Sequence, residues 1–173
     1  MRGRADEEVT AYVRARYGSL LRTAFLLCGD RGKAEDLVQT TLAKTVVAWP
    51  RLQQSDSIDH YVQRVLVNTF ITSRRRRCWW EQPLGRLADS PGRDEFLAVE
   101  QRDQLRRALD ALPARQRAAV VLRFYEDLSE QDTARALGCS VGTVKSLSSR
   151  GLQTLRKQWV KADAVADQEV RYV

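Results

Sequence analysis

The chain has 173 residues, 43% of them hydrophobic, and a formal net charge of +7 at pH 7. That length and apolar content are enough for one or two small folded domains and exclude a disordered basic tail, while the positive balance suits a polyanionic partner without establishing one. Three widely spaced cysteines, Cys28, Cys78 and Cys139, and the lone His60 argue against a disulfide framework or a metal site. No stretch is apolar enough to span a membrane, and Met1-Arg2-Gly3-Arg4 lacks the apolar core of a secretory signal. A cytoplasmic protein without a membrane partner is therefore expected.

The first predicted helix carries Val9, Val13, Tyr17, Leu20, Leu21, Ala24, Leu27 and Cys28 at three-to-four spacing and breaks at Gly29-Asp30. A second, with Ala34, Leu37, Val38, Leu42, Val46 and Trp49, is expected to stop at Pro50. A third holds Ile58, Tyr61, Val62, Val65 and Leu66 and runs into Arg74, Arg75, Arg76 and Arg77. Its other face bears Arg64, Asn68, Thr72 and Arg75, a polar and basic stripe able to follow a nucleic-acid backbone. Four adjacent arginines exceed what capping a helix requires. Trp79 and Trp80 follow them, suited either to stacking on unpaired bases or to packing within the fold.

From Glu81 to about Phe96 the chain contains Pro83, Gly85, Pro91 and Gly92 without a sustained apolar period, which reads as a connector between two independently packed units. Charge follows the same division. Residues 1–80 carry a net +6, residues 81–100 a net −3 and residues 101–173 a net +4.

The last third reads as a helix-turn-helix. Ser129 is a good N-cap, Glu130 to Leu137 forms a short helix with Ala134 and Leu137 inward, and Gly138 supplies a left-handed turn residue. Ser140 caps the second helix, where Val144 and Leu147 face inward. Gly142, Thr143, Lys145, Ser146, Ser149 and Arg150 are left outward, as a major-groove reader requires. An ordinary helical hairpin with a polar face is the plainer alternative, but Lys145 and Arg150 have no acidic neighbour on their own helix. Asp163 to Val173 reads as a short frayed tail.

The expected fold is therefore all-α, with two small helical domains joined by a flexible acidic linker: residues 1–80, a linker over 81–100, a helix-turn-helix domain over 101–162 and a tail over 163–173. Asp36-Leu37-Val38-Gln39, the helix from Asn68 to Arg77, Ala111-Leu112-Pro113-Ala114-Arg115-Gln116-Arg117 and Ser140-Val141-Gly142-Thr143-Val144-Lys145-Ser146 stand in that order. Together they resemble a bacterial extracytoplasmic-function sigma factor of the sigma-70 family over most of the chain. Val67-Asn68-Thr69 and the arginine-rich stretch with its tryptophans are most similar to the sigma-E-like group of actinomycetes.

The resemblance implies a dissociable specificity subunit of RNA polymerase that assists promoter melting. Its partners would be core polymerase, promoter DNA and, as in many relatives, an anti-sigma factor. It implies that Asp36, Gln39 and Thr40 dock on core polymerase, and that Arg64, Asn68, Thr72, Arg74, Arg75, Arg76 and Arg77 contact the −10 element. Ser140, Gly142, Thr143, Lys145, Ser146, Ser149 and Arg150 would contact the −35 element, and the helix from Arg117 to Tyr125 would face the polymerase flap. Thr40, Thr72 and Leu147 depart from the usual glutamate, aspartate and arginine of the family pattern.

Two other classes of function fit less of the chain. A stand-alone helix-turn-helix regulator leaves the arginine-rich first unit unexplained. An enzyme acting on nucleic acid needs a nucleophile with a base or a carboxylate cluster, and neither is legible, so no catalytic residue, metal, cofactor or small-molecule substrate is expected.

Overall fold

The computed structural model describes residues 2–52, 58–77 and 96–170, with side chains placed at 6–52, 58–75 and 103–160. Every regular element among them is helical. The first lobe consists of α1 (Arg2–Cys28), α2 (Arg31–Leu52) and α3 (Ile58–Arg77); the second of α4 (Phe96–Asp110), α5 (Ala114–Val120), α6 (Glu130–Leu137) and α7 (Val141–Val170). A π-helical turn, Val121–Tyr125, extends α5.

Apolar spacing explains the first lobe. Leu20, Ala24 and Leu27 of α1 meet Ala34, Leu37, Val38 and Leu42 of α2 and Val62, Leu66, Val67 and Phe70 of α3. Buried Thr41 and Thr45 donate their hydroxyls to Leu37 O and Thr41 O, which satisfies both within the helix. Gly29, at φ +69°, ends α1 and donates its amide to Phe25 O at 2.8 Å.

Pro50 does not stop α2, which continues to Leu52. Trp49 and Leu52 are both buried, and their apolar face carries the last turn past the one hydrogen bond that proline cannot make. Tyr17 and Val46, counted among the inward positions by periodicity, are exposed. The tail expected to fray is helix as far as Val170, consistent with Ala162, Ala164, Val165 and Ala166 and with the lack of glycine or proline there. Helix α4 begins at Phe96, inside the span expected to be linker. Residues 78–95, which hold most of that connector together with Cys78, Trp79 and Trp80, lie outside the described residues.

In the second lobe α7 packs against α5 at Gly151 and against α6 at Val144, which is fully buried. The expectation of independently packed units is not met. Helix α3 lies against α5 and α6, α1 touches α4, α5 and the π-helical turn, and one apolar cluster runs through both lobes.

A Cβ on Gly151 would lie 2.6 Å from Val120 Cγ2 and 3.2 Å from Leu112 Cδ2, whereas one on Gly18 meets nothing nearer than Arg22 Nη1 at 3.7 Å. Gly151→Ala should therefore cost about 1–3 kcal/mol in urea unfolding. Gly18→Ala should add about 0.5–1 kcal/mol. Equal effects would contradict this packing.

Candidate nucleic-acid interface

The helix-turn-helix forms because each turn has its local chemistry in place. Ser129 Oγ accepts the Asp132 amide at 3.0 Å and donates to Asp132 Oδ2 at 2.6 Å. Hydrogen bonds from Ser129 and Arg135 hold the Asp132 carboxyl below its usual range, so it is ionised at the positive end of α6. Gly138, at φ +61°, reverses the chain. Ser140 Oγ then accepts the Thr143 amide at 3.2 Å and lies 2.9 Å from the Thr143 hydroxyl.

Val144 and Ser148 point inward and Leu147 is half-buried, leaving Ser140, Gly142, Thr143, Lys145, Ser146, Ser149 and Arg150 exposed. Lys145 has an acidic neighbour after all, on the preceding helix: its Nζ is 3.5 Å from Glu130 Oε2. With both side chains substantially exposed, the pair leaves Lys145 available to exchange Glu130 for a phosphate or a base edge.

On the first lobe Arg64, Asn68, Thr72, Arg74 and Arg75 are all exposed along α3, while Phe70 is buried behind them with Arg74 5.9 Å above its ring. The side chains of Arg76 and Arg77 lie outside the described residues. Asp36, Gln39 and Thr40 are exposed on α2. Asp36 and Thr40 share a cleft of about 150 Å³ with Lys33, Thr69, Ser73 and Arg74, so the residues expected to meet polymerase and those expected to meet the −10 element adjoin one another. Lys44 Nζ, 3.1 Å from Thr69 Oγ1, adds a cation the sequence reading did not single out.

Arg117 has a role the sequence reading did not single out. At the start of the helix that the resemblance turns toward the polymerase flap, it is completely buried and reaches into the other lobe, donating through Nη1 to Leu27 O at 2.7 Å and Asp110 Oδ1 at 2.9 Å. Its ring neighbour is Phe70, 6.0 Å away. Burial and the nearby Arg74 push its pKa down while Asp110 pulls it up, and a guanidinium so placed stays charged. Ala118, Ala119, Val121 and Leu122 are buried too, whereas Phe124 and Tyr125 are exposed. The π-helical turn, closed by Glu126 N to Val121 O at 3.0 Å, turns Glu126 back toward Thr23 and Gln63 of the first lobe. Nothing in the local sequence distinguishes this inward arginine from its exposed neighbour Arg115.

Among the described residues no His, Cys, Asp and Glu cluster could hold a metal, and no helix is long and apolar enough to cross a membrane.

Comparison with known proteins agrees with this two-part arrangement. Residues 12–79 match the family model for sigma-70 region 2, and residues 102–155 match that for sigma-70 region 4. The RNA polymerase sigma-E factor of Streptomyces coelicolor is 40% identical over 156 residues, covering 90% of this chain and 88% of that protein. The RNA polymerase sigma factor SigV of Bacillus subtilis is 31% identical, covering 82% and 85%. The sigma factor RpoE of Bartonella quintana, solved in complex with the anti-sigma factor NepR, superposes with a TM-score of 0.68 at 26% identity, covering 88% of this chain and 97% of that one. By these matches to both sigma-70 regions and to full-length relatives, the chain belongs to the sigma-70 family of RNA polymerase sigma factors, in its extracytoplasmic-function group.

Proposed function

We propose that this sigma factor, itself without catalytic activity, directs core RNA polymerase to promoters through two DNA-reading helices. Residues 1–80 hold the polymerase-docking and −10 unit, and residues 101–162 the −35 unit. The carrying observation is the start of α7: a serine-capped helix, seated by buried Val144, that exposes Gly142, Thr143, Lys145, Ser146, Ser149 and Arg150. Small, hydroxylic and cationic groups are what base edges and phosphates accept in a major groove.

On α3, the exposed Arg64, Asn68, Thr72, Arg74 and Arg75 supply cations for a backbone and an amide for an unpaired base, with Arg76 and Arg77 continuing the run. Asp36, Gln39 and Thr40 on α2 dock on core polymerase. The solved relative bound to an anti-sigma factor supports a partner of that kind here as well.

Lys145→Ala and Arg150→Ala should each lower run-off transcription from a dependent promoter about tenfold while leaving association with core unchanged. A loss of core association would remove α7 from the −35 role. Replacing Asp36 and Gln39 together by alanine should instead weaken association with core, at unaltered helicity by circular dichroism. Unchanged association would refute docking through α2.

A further inference from the structure

Cys28, the last residue of α1, is half-buried, is in no disulfide, and lines the cleft of about 150 Å³ whose walls also carry Lys33, Asp36, Thr40, Phe70 and Arg74. With a water molecule occupying about 30 Å³, a cleft of this size admits hydrogen peroxide together with some of its hydration. Lys33, Asp36, Thr40 and Arg74 are exposed, so the mouth of the cleft is open to solvent.

A thiol reacts with peroxide as its thiolate, which nearby cations favour and the negative pole of a helix C-terminus opposes. At this helix end the pole is covered. Leu27 O accepts from Arg117 Nη1 at 2.7 Å and Gly29 O from Arg106 Nη1 at 3.2 Å, on either side of Cys28 in the chain. Lys33 and Arg74 add positive charge in the cleft wall. Against these cations stand Asp36 in the wall and Asp110, whose Oδ1 accepts from Arg117 at 2.9 Å.

Arg117 gives a further reason for negative charge at this point. Its guanidinium is completely buried, lies 6.0 Å from the ring of Phe70 in the cleft wall, and is attracted electrostatically by Cys28. Its Nε and Nη2 are buried without a hydrogen-bond partner. A neutral thiol is a weak acceptor and leaves those donors unanswered, whereas an anionic sulfur beside them meets their charge.

We propose that Cys28 is a peroxide-reactive thiol whose oxidation in this cleft weakens docking on core polymerase. The thiolate attacks one oxygen of hydrogen peroxide, an S–O bond forms as the O–O bond breaks, and the products are the sulfenic acid of Cys28 and water, the departing hydroxide taking a proton from solvent. Sulfur is oxidised and the peroxide oxygen reduced, so no further reductant or oxidant is needed. The added oxygen occupies part of the cleft that Asp36 and Thr40 share. The effect on polymerase rests on the assignment of Asp36, Gln39 and Thr40 to docking; the oxidation itself does not.

The test uses the full-length, reduced protein. After exposure to hydrogen peroxide, the loss of each reduced thiol is followed by differential alkylation and mass spectrometry, with dimedone trapping the sulfenic acid. Cys28 should oxidise at least about tenfold faster than Cys139, which is also half-buried but lies outside the cleft. Lys33→Ala should slow the oxidation of Cys28 at least about threefold. Peroxide should weaken association of the wild-type protein with core at least about threefold and leave that of Cys28→Ala unchanged, with Cys28→Ser taking its place should the alanine variant lose helicity. Oxidation of Cys28 no faster than that of Cys139 would overturn the reactive site, and oxidation of Cys28 at unchanged core association would overturn its effect on docking. The thiol measurement involves no polymerase, so its failure leaves docking through α2 untouched. Undiminished core association of the untreated Asp36 and Gln39 variant would instead refute that docking and leave the reactive thiol standing.

Discussion

A fully buried guanidinium needs an answer to its charge, and the position of the second lobe depends on the answer Arg117 finds. A buried charge is tolerated only when it is paired and hydrogen-bonded. Arg117 has one carboxylate, Asp110, from its own lobe and one carbonyl, Leu27 O, from the other. Leu27 O is available because Gly29 ends α1 with a left-handed residue, and the lack of a side chain at Gly29 is also what admits Asp110. The same helix end thus terminates α1, caps it with cations and brings the lobes together. Leu26 contributes apolar contact beside it, packing on Leu109, Leu112 and Val120.

Away from that corner the molecule divides its surfaces by chemistry. In α2 and α3 one face builds a shared interior and the other keeps Asp36, Gln39, Thr40, Asn68 and Arg74 in solvent. In α7 a single buried valine orients a helix whose exposed side carries small and cationic residues. Membership of the sigma-70 family accounts for both faces of this division, since such a subunit must present surfaces to polymerase and to DNA while keeping a core small enough to fold.

What could be read from the sequence was what local rules decide. The helices of the first lobe follow from three-to-four spacing, and the caps at Ser129, Gly138 and Ser140 from the groups that satisfy helix ends within a few residues. The readings that failed depended on distant partners. Pro50 was expected to end α2 because the burial of Trp49 and Leu52 is a tertiary effect. The inward reach of Arg117 was not legible because an arginine's partner ninety residues away leaves no trace in its own neighbourhood. Lys145 finds Glu130 on a different helix, which the turn at Gly138 brings within reach. Trp79 and Trp80, singled out for stacking or packing, lie outside the described residues.

The most direct test of the account is transcription on a promoter library by purified core RNA polymerase with and without this protein, with the RNA 5′ ends sequenced. Protein-dependent starts that share two upstream motifs at a fixed spacing are the predicted result, one motif for each DNA-reading helix. An absence of such starts, together with tight binding of duplex DNA by the protein alone, would contradict it and identify a regulator that works without polymerase.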